Sequence, residues 1–299
     1  MKVTVLGTGT MGTGMTHSML RAGLDVTVWN RTIERAQPLE ARGATVAPTV
    51  ADAVRDADAV MTMLFDGNAV LGIASALVPA LPADAIWIQS ATIGLDAMAE
   101  VNRLATAGKV ELLDAPMLGT KQPAEDGQLV PLVAGRLQTL ARVQPVLGAV
   151  GGRRIYAGDR IGMGTALKLA CNACNAWIAA ITAAVGQSMG LAGALGVEPR
   201  LFLQAIDGGQ PDSPYAHIKG AEMLRGEYPA SFAVDGLLKD LNLAFDAAVG
   251  ARFPQTLLRS LRELYSDASF HGHGHEDVAA VYSEFAIAET VATQPFSLR

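Results

Sequence analysis

Apolar and polar positions fall into short bursts along the first half of the chain, and then the bursts stop. Residues 2–6 (KVTVL), 25–29 (DVTVW), 57–63, 85–89, 110–113, 129–134 and 154–157 are brief runs rich in Val, Ile, Leu and Trp, each punctuated by Gly, Asp, Asn or Pro. Runs of that length and composition read as buried strands. Helical segments separate them, and alternation of strand with helix is the order of a mostly parallel sheet covered on both faces. After Gly162 the pattern is helical throughout, over 162–196, 200–206, 215–225, 237–250, 254–266 and 276–290. The pattern predicts an α/β domain over residues 1–160 and an all-α domain over 161–299, with Gly158, Asp159 and Gly162 punctuating the boundary.

The first strand runs directly into Gly7-Thr8-Gly9-Thr10-Met11-Gly12, followed by a helical segment and a second strand. A GxGxxG in that setting is the phosphate-binding turn of a Rossmann-type domain. The first glycine permits the tight turn, the second lets a pyrophosphate approach the backbone, and the third lets helix and strand pack closely. The helix start then offers unpaired N–H groups and the positive end of its dipole. Where the second strand ends, NAD binders commonly place a carboxylate for the ribose hydroxyls. Here the run is Asn30-Arg31-Thr32. Loss of the carboxylate removes its repulsion of a 2′-phosphate, and Arg31 is suited to pair with one, so NADP is expected in preference to NAD. Ligands of such sheets bind beyond the carboxyl ends of the strands. The loops 64–66, 90–92 and 116–127 are therefore expected around the reactive end of the cofactor, with Met63 and Leu64 as cofactor-binding residues.

Composition narrows the partners. Half of the 299 residues are hydrophobic, 17% are charged and the net charge is −6. That balance argues against nucleic acid or an anionic membrane surface as partner. No secretory pattern opens the sequence, so a cytoplasmic location is expected. The stretch 162–196 is apolar enough to raise a membrane span, but Asn172, Asn175 and Gln187 interrupt it, and a core or subunit-interface helix is expected instead. Cys171 and Cys174 lack a second pair to complete a zinc site and read as free thiols. The one charged side chain in 162–196 is Lys168, with Asn172 one helical turn on. Taken alone, such a lysine is a snorkelling residue at a helix end; beside a cofactor motif, it is a candidate for chemistry.

Four stretches together resemble the β-hydroxyacid dehydrogenase family, which contains 3-hydroxyisobutyrate and 6-phosphogluconate dehydrogenases. They are GTGTMGTGM at residues 7–15, Asp114-Ala115-Pro116 with its glycine-bearing loop, Gly162-Met163-Gly164 through Lys168 to Asn172, and Lys239-Asp240-Leu241-Asn242-Leu243-Ala244. The run from Gly119 to Leu129 is similar to glyoxylate and succinic semialdehyde reductases. The resemblance implies a Rossmann domain, an all-helical second domain, and a homodimer or homotetramer built through the helical part. It also implies roles: Lys168 as the catalytic lysine, Asn172 positioning substrate, Thr92 near nicotinamide and substrate, and Lys239 and Asp240 closing the site. Leu118, Gly119 and Thr120 fall on the substrate loop. There the family usually has a serine whose hydroxyl binds the substrate carboxylate, and this chain has Leu118. A leucine donates no hydrogen bond, so a larger or more apolar carbonyl compound becomes plausible beside small hydroxy acids.

The expected chemistry is hydride transfer between NADPH and a carbonyl or hydroxy-acid substrate, with Lys168 as general acid in reduction and base in oxidation. Desolvation in an apolar cleft disfavours the charged form of a lysine and makes it a better acid. Two rivals stand beside this. Imine reductases share the architecture and the Trp29-Asn30-Arg31-Thr32 strand end, but carry Asp or Tyr at the position of Lys168. The second is a non-catalytic NADP-binding regulator. His271, His273 and His275 resemble a metal cluster, yet they lie in the turn before the last helix, where Asp277 suits an N-cap, and no metal is expected.

Overall fold

A computed structural model describes residues 1–285, with the backbone alone for residues 173–175. The chain forms two compact units, Met1–Leu169 and Ala170–Arg299. In the first, the order is β1 (Lys2–Leu6), α1 (Thr10–Arg21), β2 (Asp25–Trp29), β3 (Thr45–Val46), α2 (Val50–Val54), β4 (Ala59–Thr62), α3 (Gly67–Ala80), β5 (Ile86–Gln89) and α4 (Leu95–Ala107). There follow β6 (Glu111–Asp114), β7 (Met117–Leu118), α5 (Lys121–Asp126), β8 (Val130–Ala134), α6 (Leu137–Arg142), α7 (Gln144–Val150) and β9 (Ile155–Gly158).

The sheet runs β3-β2-β1-β4-β5-β6, all parallel, and continues through β8, which lies antiparallel to β6 and β7 and parallel to β9. Alternation along each strand sends side chains to two separate cores. Val3 and Val5 of β1, Val26 and Val28 of β2, and Ile86 and Ile88 of β5 pack with Met15 and Met19 of α1 and with Val146 and Leu147 of α7. Leu6, Val60 and Trp87 pack on the other face with α2, α3 and α4 through Val54, Leu77 and Val101. Helices therefore cover both faces, as the alternating pattern predicts. The chain leaves β1 in one direction for β2 and β3 and returns on its other side as β4. At such a switch point the loops after the two central strands diverge and open a crevice.

The long helix α8 (Met163–Ala194) runs from the first unit into the second. The glycine punctuation near 160 marks where this helix starts, whereas the compact units part after Leu169. Its opening turn packs against strand ends of the sheet: a Cβ on Gly164 would lie 2.5 Å from the Leu132 carbonyl oxygen. In the second unit α9 (Arg200–Ile206), α10 (Pro214–Arg225), α11 (Val234–Gly250) and α12 (Thr256–Ala268) bury one core with α8. Small residues let the chain approach α8 closely there, since a Cβ on Gly190 would sit 2.6 Å from the Phe285 carbonyl oxygen. Among the described residues α8 alone is long and apolar enough to cross a membrane, and Ala176, Ala179, Ala183, Val185 and Met189 along it are buried in the second unit's core.

One expected element differs. The segment assigned to a helix over 276–290 is a 3₁₀ helix at Val278–Phe285, and residues 286–290 lie outside the described residues. Its entry is tight because Asp277 is drawn inward by Lys219 and bonds Ala279 N through its own carboxylate, while Ala280 N closes onto the Asp277 carbonyl at 2.8 Å.

Candidate functional site

The crevice between β1 and β4 is built by three glycines with three different reasons to be glycine. Gly7 has φ +109°, and a Cβ there would meet the Met63 carbonyl oxygen at 2.3 Å, so the turn after β1 is pressed against the end of β4. A Cβ on Gly12 would lie 1.9 Å from the Gly7 carbonyl oxygen, which seats α1 on the turn. At Gly9, by contrast, a Cβ would find no atom within 4 Å, so this side of the loop is open. Helix α1 starts there with Gly9 as its N-cap, no capping side chain and no acid in its first turn. Unpaired N–H groups and a positive dipole end thus face free space, with Thr10 and Met11 in the first turn, and the arrangement fits a dinucleotide pyrophosphate.

At the end of β2, Asn30 braces this loop. Its Oδ1 accepts from Thr8 N at 3.2 Å and its Nδ2 donates to the Thr32 carbonyl at 2.9 Å. The amide is committed to the chain, so Asn30 holds the glycine loop, while Arg31 and Thr32 beside it are exposed. Met63 and Leu64 after β4, and Thr92 after β5, are half-buried at the carboxyl edge of the same sheet.

The loop carrying Leu118, Gly119 and Thr120 is anchored from below. Leu118 pairs with Val130 of β8, and Gly119 turns the chain with φ +126°, its α-carbon against Leu129. Helix α5 then lies on α1 so closely that a Cβ on Gly14 would come 2.8 Å from Ala124 Cβ, and the Arg21 guanidinium donates to the Glu125 carbonyl. Helices α1 and α5 are therefore one packed piece. Leu118 itself is half-buried and apolar.

Asp114, at the end of β6, holds the start of α8. Its Oδ2 accepts from Gly162 N at 3.0 Å and Thr165 N at 2.8 Å, and its Oδ1 accepts from Thr165 Oγ1 at 2.7 Å. The carboxyl is fully buried. Burial pushes its pKa up, and the hydrogen bonds donated by Thr165 and Gly162 work against that rise. Sequence reading marks Asp114 as part of a motif without a partner, because its partners are 48 and 51 residues away. Beyond this clamp, Lys168 is 9% exposed and Asn172 fully buried, four residues apart on one side of α8. Lys239 and Asp240 are half-buried neighbours on α11, with Nζ 3.5 Å from Oδ1.

The three histidines near 273 do not converge. His271 faces Glu284 at 3.1 Å, His273 faces Glu276 at 2.6 Å, and His275 lies 3.8 Å from Asp235. Asp207, Asp212 and His217 bring their ligand atoms within 4.8 Å of one another, and His217 Nε2 already sits 2.7 Å from Asp212.

Comparison with known proteins gives a consistent result over both units. Residues 2–158 match the family described as the NAD binding domain of 6-phosphogluconate dehydrogenase. Residues 162–285 match the NAD-binding family of NADP-dependent 3-hydroxyisobutyrate dehydrogenase. The chain is 27% identical to the chloroplastic glyoxylate/succinic semialdehyde reductase 2 of Arabidopsis thaliana, over 95% of this chain and 79% of the relative. It is 30% identical to an L-threonate dehydrogenase of Cupriavidus necator, over 94% of this chain and 95% of the relative. Among solved structures, a Mycobacterium tuberculosis 3-hydroxyisobutyrate dehydrogenase superposes with a TM-score of 0.84 at 27% identity, covering 96% of this chain and 99% of that one.

Proposed function

The chain belongs to the β-hydroxyacid dehydrogenase family and is a nicotinamide-dependent oxidoreductase acting on CH–OH groups; from that premise, we propose that it is an NADPH-dependent reductase of aldehydes or keto acids that uses Lys168 as its acid. The observation that carries the reading is the pair Lys168 and Asn172, buried on one side of a helix whose start is clamped to the end of β6 by Asp114.

NADPH, when bound, supplies the hydride. The glycine loop and the N-terminus of α1 would hold its pyrophosphate, with Asn30 bracing the loop, and Arg31 and Thr32 would serve its adenosine ribose. Reduction of a carbonyl carbon leaves charge on its oxygen, and Lys168 Nζ delivers a proton there as the charge develops. Asn172 holds the substrate in line, and its value is that of orientation. Leu118 lines the substrate with carbon where a hydroxyl would grip a carboxylate, which favours substrates with apolar bulk beside the carbonyl. Lys239 and Asp240, paired on α11, are assigned to substrate and cofactor by the family resemblance. A dimer or tetramer built through the helical unit belongs to the same proposal, supported by apolar side chains left exposed on α8, Trp177 at 68% and Leu191 at 58%.

The test is a steady-state screen of aldehydes, keto acids and cyclic imines with NADPH and with NADH. Turnover of carbonyl compounds with NADPH is expected. Turnover of cyclic imines alone would replace the reading with an imine reductase, and tight NADPH binding with no turnover anywhere would leave a binding protein. Arg31→Ala separates the cofactors. A charge-assisted pair with a 2′-phosphate is worth roughly 1.5–3 kcal/mol, so its loss should raise KM for NADPH about 10- to 100-fold and leave KM for NADH unchanged. A wild-type preference for NADH that Arg31→Ala does not alter sinks the NADP assignment.

A further inference from the structure

Beneath the carboxyl ends of β4 and β5 lies a set of polar side chains that the chemistry above leaves unused. Thr62, Trp87 and Gln89 are all fully buried. Trp87 Nε1 donates to Thr62 Oγ1 at 3.1 Å, and that hydroxyl donates to Gln89 Oε1 at 2.9 Å. The same Oε1 accepts from Ala91 N at 3.2 Å, and Gln89 Nε2 donates to the Ala91 carbonyl at 2.8 Å. The amide thus closes a ring onto both backbone groups of the residue two places on.

An apolar side chain at position 89 would fill the interior without any need for partners, and buried amides are costly unless satisfied. What the amide adds is a fixed backbone for the turn Ser90-Ala91-Thr92. Within that turn Ser90 Oγ is buried with no hydrogen-bond partner among the described residues. The turn leads to Thr92, half-buried at the sheet edge beyond which the cofactor is proposed to lie.

We propose that Gln89 is a positioning residue for the reaction, whose side-chain ring onto Ala91 sets the turn that presents Thr92 to the nicotinamide and substrate. The inference rests on the function proposed above.

Gln89→Glu tests it in the full-length protein, assayed with NADPH and glyoxylate or succinic semialdehyde. The ionised side chain has no hydrogen to give the Ala91 carbonyl, whereas the protonated one does, and burial favours protonation. Above the pH at which this carboxyl ionises, read from the variant's own pH profile, kcat should fall about 10- to 100-fold while KM for NADPH moves less than about 3-fold, as for an interaction lost mainly in the transition state. The ratio of variant to wild-type kcat should recover as pH is lowered. Trp87→Phe removes the far donor and leaves the ring intact, so it should lower Tm and keep kcat within about 3-fold of wild type. Undiminished kcat in Gln89→Glu, a loss that does not recover at low pH, or an equal loss in Trp87→Phe overturns the proposal. The Trp87 indole N–H resonance should also shift on NADPH addition in the wild type and stay still in Gln89→Leu. An indole signal indifferent to NADPH overturns the positioning role even if neither carbonyl is turned over, whereas lack of turnover with the shift intact counts against the proposed reaction alone.

Discussion

Lys168→Ala is expected to lower kcat by about 10²- to 10⁴-fold, the usual contribution of a positioned general acid, and to leave the Kd for NADPH close to that of the wild type. The two halves of this expectation have separate structural grounds. The proposed cofactor site is the glycine turn and the start of α1, built by Gly7, Gly9 and Gly12 against Met63 without α8. Proton delivery needs a titratable nitrogen on the buried side of α8, where Lys168 stands four residues before Asn172. Lys168→Arg should fail nearly as badly, because a guanidinium keeps its proton at any working pH and occupies more space. Lys168→Met, which keeps the apolar stem, controls for packing. Titrating NADPH fluorescence gives Kd, and single-turnover rates give the chemical step. An alanine variant with kcat near that of the wild type would return Lys168 to the role of a snorkelling residue.

How much of this was legible along the chain depended on distance in sequence. The glycine loop was readable because strand, turn and helix are consecutive there, and β1, α1 and β2 fall where the periodicity puts them. The strands β3 and β7 were not, since two residues carry no period. The Gln89 ring is hidden from sequence for another reason: alternation says which face a strand residue takes, not that Thr62 on the neighbouring strand points at it across 27 residues. Asn30 was expected to meet the cofactor, and the structure shows its amide turned back onto Thr8 and Thr32. The histidine run is a local pattern that suggests a joint task, while each ring lies beside a different carboxylate. Elements whose residues are consecutive could be read from the sequence; contacts whose partners come from another strand or helix required the fold.

Asp114→Ala should be the most damaging substitution for stability, and Asp114→Asn among the mildest, although both remove the same charge. Alanine strands three donors at once: the N–H groups of Gly162 and Thr165 and the Thr165 hydroxyl, with Thr165 only 1% exposed. An unsatisfied buried donor costs about 1–3 kcal/mol, and allowing for partial relaxation of Gly162 toward water the sum is about 3–4 kcal/mol. Asparagine can place its oxygen where Oδ2 accepts two N–H groups and its nitrogen where Oδ1 stands, with the Thr165 hydroxyl turning to accept. It gives up attraction to the start of α8, worth up to about 1–2 kcal/mol in a buried setting, and gains relief from burying an ionised carboxylate. The two should nearly cancel. The pH dependence discriminates further. Because the folded pKa of Asp114 is raised above its unfolded value, the native state binds this proton more tightly than the unfolded chain does. Its contribution to stability is therefore greatest below the unfolded value and declines as pH rises through the raised folded pKa. Urea denaturation across that interval should show a decline in the wild type that Asp114→Asn lacks. If Asp114→Ala and Asp114→Asn lose stability equally, the clamp works through charge alone and the hydrogen-bond account of the α8 start is wrong. If neither loses any, α8 is held by its packing, and the placement of Lys168 does not depend on β6.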